Sequence, residues 1–164
     1  MKLIKSNYEI LEQKPGLEGI YEMIETAGRT CYRSQRPEGQ TAKDFVDRMI
    51  KSQHYAMLEH GTVYLKVPSE VVNEGFQFET DWNTLCFNPY TRYNMDCDYY
   101  YYTTNYRVII EHDLQEVLKY LCEPTEFHEK RVTIRFTTDR GVSHEFVRHR
   151  VFSFAQESTR QMAA

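Results

Sequence analysis

The chain has no apolar run approaching the roughly 20 residues of a membrane-spanning helix, and Met1-Lys2-Leu3-Ile4-Lys5 turns polar at Ser6-Asn7 without a signal-peptide segment. A soluble, cytoplasmic protein is the expectation, with no membrane partner. Its four cysteines, Cys31, Cys86, Cys97 and Cys122, include no Cys-x-x-Cys pair, which excludes a zinc ribbon or a thioredoxin-type redox site. The histidine pairs His54/His60 and His144/His149 lack the same-face spacing of a helical His-x-x-x-His ligand pair, so no metal is expected. There is no Gly-rich phosphate loop and no Gly-x-Ser-x-Gly elbow around Ser158, which leaves a serine hydrolase unsupported. A net charge of −4 excludes the basic surface of a general nucleic-acid binder. Finally, the last 34 residues hold six of the twelve arginines and not one lysine. Arginine is the cation suited to planar, bidentate recognition of phosphate or carboxylate, so this bias points to a small anionic ligand.

With 164 residues, 41% of them hydrophobic and 27% charged, the chain suits a single domain able to bury a core without staples. We expect one α/β (α+β) domain over residues 1–164, a mixed sheet with flanking helices. Leu17, Ile20, Tyr21, Ile24 and Ala27 recur at helical spacing and predict a helix from Gly16 to about Ala27, followed by a polar loop over 29–39. Thr41 and Asp44 form a capping-box pair ahead of a second helix reaching about Gln53. Residues 62–67 alternate as a strand that Pro68 stops. Tyr99 to Tyr102 and residues 106–109 favour strands, with Thr103-Thr104-Asn105 as a hairpin turn between them. Leu114, Val117, Leu118 and Leu121 predict a helix over 113–122. Val132, Ile134 and Phe136 alternate with Arg131, Thr133 and Arg135, predicting a strand with one buried face. Ser143 is placed to cap a short helix carrying Glu145 in its first turn.

Two regions carry chemistry. Arg148-His149-Arg150 crowds cations into three consecutive positions, with Ser158 and Arg160 just downstream, an arrangement that calls for an anion. Upstream, His54 and the pair Glu59-His60 fall between a helix end and a strand start, where scaffolds commonly hold site residues. The plainer reading makes His54 a helix C-cap and Glu59-His60 a local pair. The four consecutive tyrosines fit a strand with aromatic side chains on both faces.

The string Arg148-His149-Arg150, seven residues, then Ser158, resembles the signature of the flavin-dependent thymidylate synthases, and His54 with Glu59-His60 is similar to that family's upstream segment. The resemblance implies an α/β fold assembled as a homotetramer, with sites at subunit interfaces. It implies a methyltransferase that makes dTMP from dUMP with methylenetetrahydrofolate, using hydride from FAD that NADPH has reduced. Carried over by position, Arg148, His149 and Arg150 would bind FAD, with His54 and Glu59 beside the flavin. Ser158 and Arg160 would bind dUMP, and Glu145 and Gln156 would flank it. His54 and Arg160 would be the residues closest to the chemistry. No cysteine nucleophile is implied, in keeping with a motif that contains no cysteine.

The match departs from the family's pattern in three places. Ala155-Gln156 replaces the usual Asn-Glu before the serine, with Glu157 one position later. The segment 68–125 is longer than typical and receives no role. Gln161 stands where tyrosine is common, and the family's further C-terminal segment, with another dUMP-binding arginine, is expected to be missing. The alternative expectation is accordingly a member that binds FAD and nucleotide without completing the reaction.

Overall fold

A computed structural model of the chain describes residues 5–76 and 81–158. The first helix, α1 (Gly16–Tyr32), buries Ile20, Tyr21, Ile24 and Ala27 as their spacing predicts. It also runs through Arg29–Tyr32, where a loop is expected. The cause is Glu25, a buried carboxylate that accepts from Arg29 one turn on and from Arg36 beyond the helix end, tying the polar stretch to the helix. Arg33 then closes α1 in the left-handed conformation, at φ 49°. Helix α2 (Ala42–Lys51) carries the expected capping box between Thr41 and Asp44. It packs so closely on α1 that a Cβ on Gly28 would lie 2.4 Å from the Phe45 ring.

A 3-10 turn over Tyr55–His60 leads into β2 (Thr62–Pro68), which joins β4 (Tyr99–Asn105) and β3 (Arg92–Met95) in an antiparallel sheet of order β2-β4-β3. Helices α3 (Ser69–Phe76) and α4 (Asp81–Phe87) follow β2, and their Val72, Trp82 and Leu85 join the core with Tyr102. The tyrosine run serves both faces. Tyr102 is fully buried against Trp82, while on the other face Lys66 sits 4.0 Å from the Tyr99 ring and the Tyr101 hydroxyl donates to Asp96.

Two local expectations give way to tertiary context. Thr103-Thr104-Asn105 is not a hairpin turn. Both threonines are buried in β4, Thr91 donating to Thr104, and Asn105 caps the helix α5 (Tyr106–Glu111) by accepting from the Val108 amide. Over 113–122 the chain forms a 3-10 helix (Gln115–Tyr120), which aligns positions three apart and so turns Leu114 and Val117 inward, with Tyr120 against Trp82.

The remaining elements make a separate ribbon. Strand β1 (Asn7–Leu11) pairs antiparallel with β5 (Thr133–Thr137), placing Tyr8 opposite Phe136 and Ile10 opposite Ile134. The alternation predicted for β5 is present, but its apolar face is not buried: Phe136 is 50% exposed, Ile10 58% and Val132 65%. A two-stranded ribbon without a full third layer leaves most of that face in solvent, covered only where the Phe136 ring stacks on Phe146 of the helix that follows, 5.0 Å between centres. Helix α6 (Arg140–Phe146) is capped by Asp139, which accepts from the Val142 amide, rather than by Ser143, and Glu145 falls near its end. The whole is a small mixed α/β domain with two antiparallel sheets in place of one mixed sheet. Among the described residues, no helix is long and apolar enough to cross a membrane.

Candidate functional site

The site begins where the 3-10 turn meets β2. Gly61 is pressed against Ile20 and Ile24 of α1, so closely that a Cβ would lie 2.7 Å from either, which fixes the preceding Glu59-His60 beside the core. Glu59 divides its oxygens: Oε1 accepts from Arg107 Nη1 at 2.6 Å and Oε2 from Ser153 Oγ at 2.6 Å. The His60 ring faces the Phe154 main chain, and its Nε2 is buried with no partner among the described residues. Burial pushes the His60 imidazole below its ordinary pKa, outweighing the neighbouring Glu59 carboxylate, so the ring is held neutral.

These bonds fasten an extended strap, residues 153–158, across the protein. Further along it Gln156 Nε2 donates to Ser143 Oγ at 2.8 Å, Glu157 pairs with Arg33, and the Ser158 amide donates to the Cys31 carbonyl at 3.0 Å. The end of α1 is therefore a meeting point. Tyr32, next to Cys31, bonds His54 Nδ1 at 2.8 Å through its hydroxyl, the two rings lying nearly parallel. His54 does not use its ring to cap α2. Only its main-chain amide reaches back, to Met49. An open depression of about 570 Å³ lies there, lined by Tyr32, Arg48, Met49, Lys51, Ser52 and His54.

The cationic triplet follows α6 in a series of turns closed by Arg148 N to Glu145 O, His149 N to Phe146 O and Phe152 N to His149 O. All three side chains are exposed. Arg148 pairs with Glu145 at 3.0 Å in solvent, a contact worth little. His149 and Arg150 have no side-chain partner among the described residues, so the turn keeps most of its positive charge available. The structure thus brings Glu59, His60, Ser153 and Phe154 together, and links Ser158 to His54 through Cys31-Tyr32. It leaves Arg148, His149 and Arg150 outside that network, Glu145 on Arg148 and Gln156 on Ser143. Arg160 lies outside the described residues.

No family model, curated protein or solved structure matches this chain.

Residues outside either motif complete the arrangement. Tyr32 and Arg33 lie in a stretch whose composition reads as loop, and Arg107 in a segment whose strand-like residues conceal a helix. The only hint was their residue type, guanidinium and phenol groups at the edges of elements. Beside Tyr32, burial pushes the Cys31 thiol above its ordinary pKa, which disfavours the thiolate. What the arrangement offers is an exposed cluster of cations, a half-buried carboxylate held from two sides, and a half-buried imidazole with its Nε2 enclosed.

Proposed function

We propose that this chain is a flavin-dependent thymidylate synthase, a methyltransferase that forms dTMP from dUMP with methylenetetrahydrofolate as carbon donor, FAD as cofactor and NADPH as reductant. The observation that carries the reading is the joining of two distant sequence regions: Ser153 of the strap donates to Glu59 at 2.6 Å. The spacer of the C-terminal signature thus lies against the upstream Glu59-His60 pair, while Arg148, His149 and Arg150 stand outside that contact.

The residues present fit a flavin dinucleotide. Arg150 and His149 carry uncommitted donors, and with Arg148 they would meet its diphosphate through charge-assisted hydrogen bonds. Bound flavin supplies the hydride. Glu59 and His54 would border the flavin, His54 oriented by Tyr32. Ser158 and Arg160 would receive dUMP, Arg160 at its phosphate, with Glu145 and Gln156 at the margin of the site. Arginine cations beside the uracil would favour attack through C5, and the rest of the rate would come from holding three reactants in register.

The exposed apolar face of the β1–β5 ribbon, with Tyr8, Ile10, Ile134 and Phe136, is a patch that a further copy would cover, in keeping with an assembly such as the family's homotetramer. The deciding experiment is the visible spectrum of purified protein incubated with FAD, followed by a dTMP assay with NADPH, dUMP and methylenetetrahydrofolate. A yellow protein that forms dTMP supports the reading. Bleaching by NADPH without dTMP would identify a flavin- and nucleotide-binding protein instead, and a protein that takes up no FAD overturns both.

A further inference from the structure

We propose that Arg107, from the segment between the two motif regions, is a positioning residue of this site that fixes Glu59 and, through Glu59, the strap bearing Ser153 and Ser158. The proposal concerns the site read above as the flavin and dUMP site, and rests on that reading for its functional consequence.

The geometry is a relay. Arg107 Nη1 donates to Glu59 Oε1 at 2.6 Å, and Glu59 Oε2 accepts from Ser153 Oγ at 2.6 Å. With one oxygen committed to the guanidinium, the other is turned toward the strap. Arg107 is itself held. Nη2 donates to Glu111 at 2.8 Å one turn along α5, and Nε is buried without a partner among the described residues. A planar guanidinium fixed at one nitrogen carries the others with it, so Glu111 sets the direction from which Arg107 approaches Glu59.

The helix beneath is firmly placed. Val108 and Ile109 are in the core, Asn105 caps the first turn, and the Tyr106 hydroxyl lies 3.3 Å from that of Tyr21 on α1. The link between Arg107 and Glu59 joins residues 48 apart in sequence and is partly buried, with the Glu59 side chain 23% exposed. A solvent-exposed ion pair within one helix, such as Arg107–Glu111 alone, would leave the strap indifferent to Arg107. The route through Glu59 makes the strap depend on it.

The test uses the full chain and four variants: Arg107→Met, Arg107→Lys, Glu59→Gln and the double variant Arg107→Met/Glu59→Gln. Circular dichroism establishes which fold. Amide hydrogen exchange at Ser158, in protein without added FAD, reads the strap directly. Arg107→Met is expected to speed that exchange about tenfold, the effect of one lost charged hydrogen bond. Arg107→Lys, which retains a charge but not the fork, should fall between. In the Glu59→Gln background Arg107→Met should add little, because the relay is already broken. The dissociation constant for FAD, followed by flavin fluorescence, should show the same pattern. Unchanged Ser158 exchange in folded Arg107→Met, or effects of Arg107→Met and Glu59→Gln that simply add, overturns the proposal. Should Arg107→Met fail to fold, Arg107→Lys with wild-type exchange overturns it equally. Failure of the wild-type chain to bind FAD overturns the functional reading instead, while the Ser158 exchange still decides the relay.

Discussion

The Tyr32 hydroxyl and His54 Nδ1 are 2.8 Å apart, joining rings only 12° from parallel whose centres are separated by 6.4 Å. The last residue of α1 thereby orients a histidine that leads into the Glu59-His60 turn. His54→Ala should impair flavin-dependent NADPH oxidation, and Tyr32→Phe, which removes the hydrogen bond but keeps the stack, should lower it less. Steady-state oxidation rates check this, and normal turnover in His54→Ala would reduce the histidine to a packing partner of Tyr32.

Substrate and cofactor should separate at Arg160. On the proposed function, Arg160→Ala is expected to weaken dUMP binding by about tenfold or more, the loss expected for a charge-assisted phosphate contact, while FAD affinity stays at the wild-type value. Titration calorimetry with each ligand distinguishes the two. Unchanged dUMP affinity would remove Arg160 from its role.

Acid should destabilise the protein through His60 and His128. Burial lowers the pKa of His60, and of His128, whose ring meets the Leu65 carbonyl and the Thr125 amide. Both stay neutral in the folded state at pH values where the unfolded chain binds protons. Their contribution is therefore fully present above the ordinary value near 6.5 and is lost as pH falls below it, by up to about 1.4 kcal/mol per pH unit for each group. Urea midpoints between about pH 7.5 and pH 5 should fall, and His128→Gln should flatten that slope.

Glu25 is a buried carboxylate shared by two guanidinium groups. Burial raises its pKa, but hydrogen bonds from Arg36 and Arg29 prevail and hold it below the ordinary carboxylate range. Glu25→Gln leaves the sheltered Arg29 guanidinium uncompensated and should cost about 3 kcal/mol in urea unfolding. A loss below about 0.5 kcal/mol, the scale of a surface pair, would show that solvent replaces the contact.

The ribbon predicts an assembly phenotype. Ile10→Glu alters a side chain already 58% exposed and should barely change the fold of one subunit. If a second copy covers the face, the variant should move toward monomer in sedimentation velocity. Identical sedimentation of variant and wild type would show that this face carries no subunit contact.

Sequence pattern reached the fold where local chemistry and burial agree. Thr41 and Asp44 cap α2 as their spacing dictates, and the α1 stripe is the core stripe. It fell short where a distant residue decides. Glu25 draws Arg36 onto α1 and lengthens the helix, Asn105 trades a turn for a cap, and β5 finds its partner in β1 at the far end of the chain. In the candidate site, Glu59 and Ser158 were legible as motif positions. Tyr32, Arg33 and Arg107 were not, because each acts only through a contact between elements that no spacing rule connects. The exposed face of β5 shows the limit most plainly: alternation specifies which side chains share a face, and only a neighbouring layer determines whether that face is dry.

That pairing also has a temporal side. Glu9 and Arg135 are separated by 126 positions, so β1 is made early and its partner late. During synthesis the helices and the β2-β4-β3 sheet can close first, since their contacts span shorter stretches, whereas Tyr8 and Ile10 must wait in solvent until residue 137 emerges. A nascent chain therefore carries an unpaired strand from the making of β1 until that of β5, and ribbon closure is the step most open to capture by a chaperone or by another nascent chain.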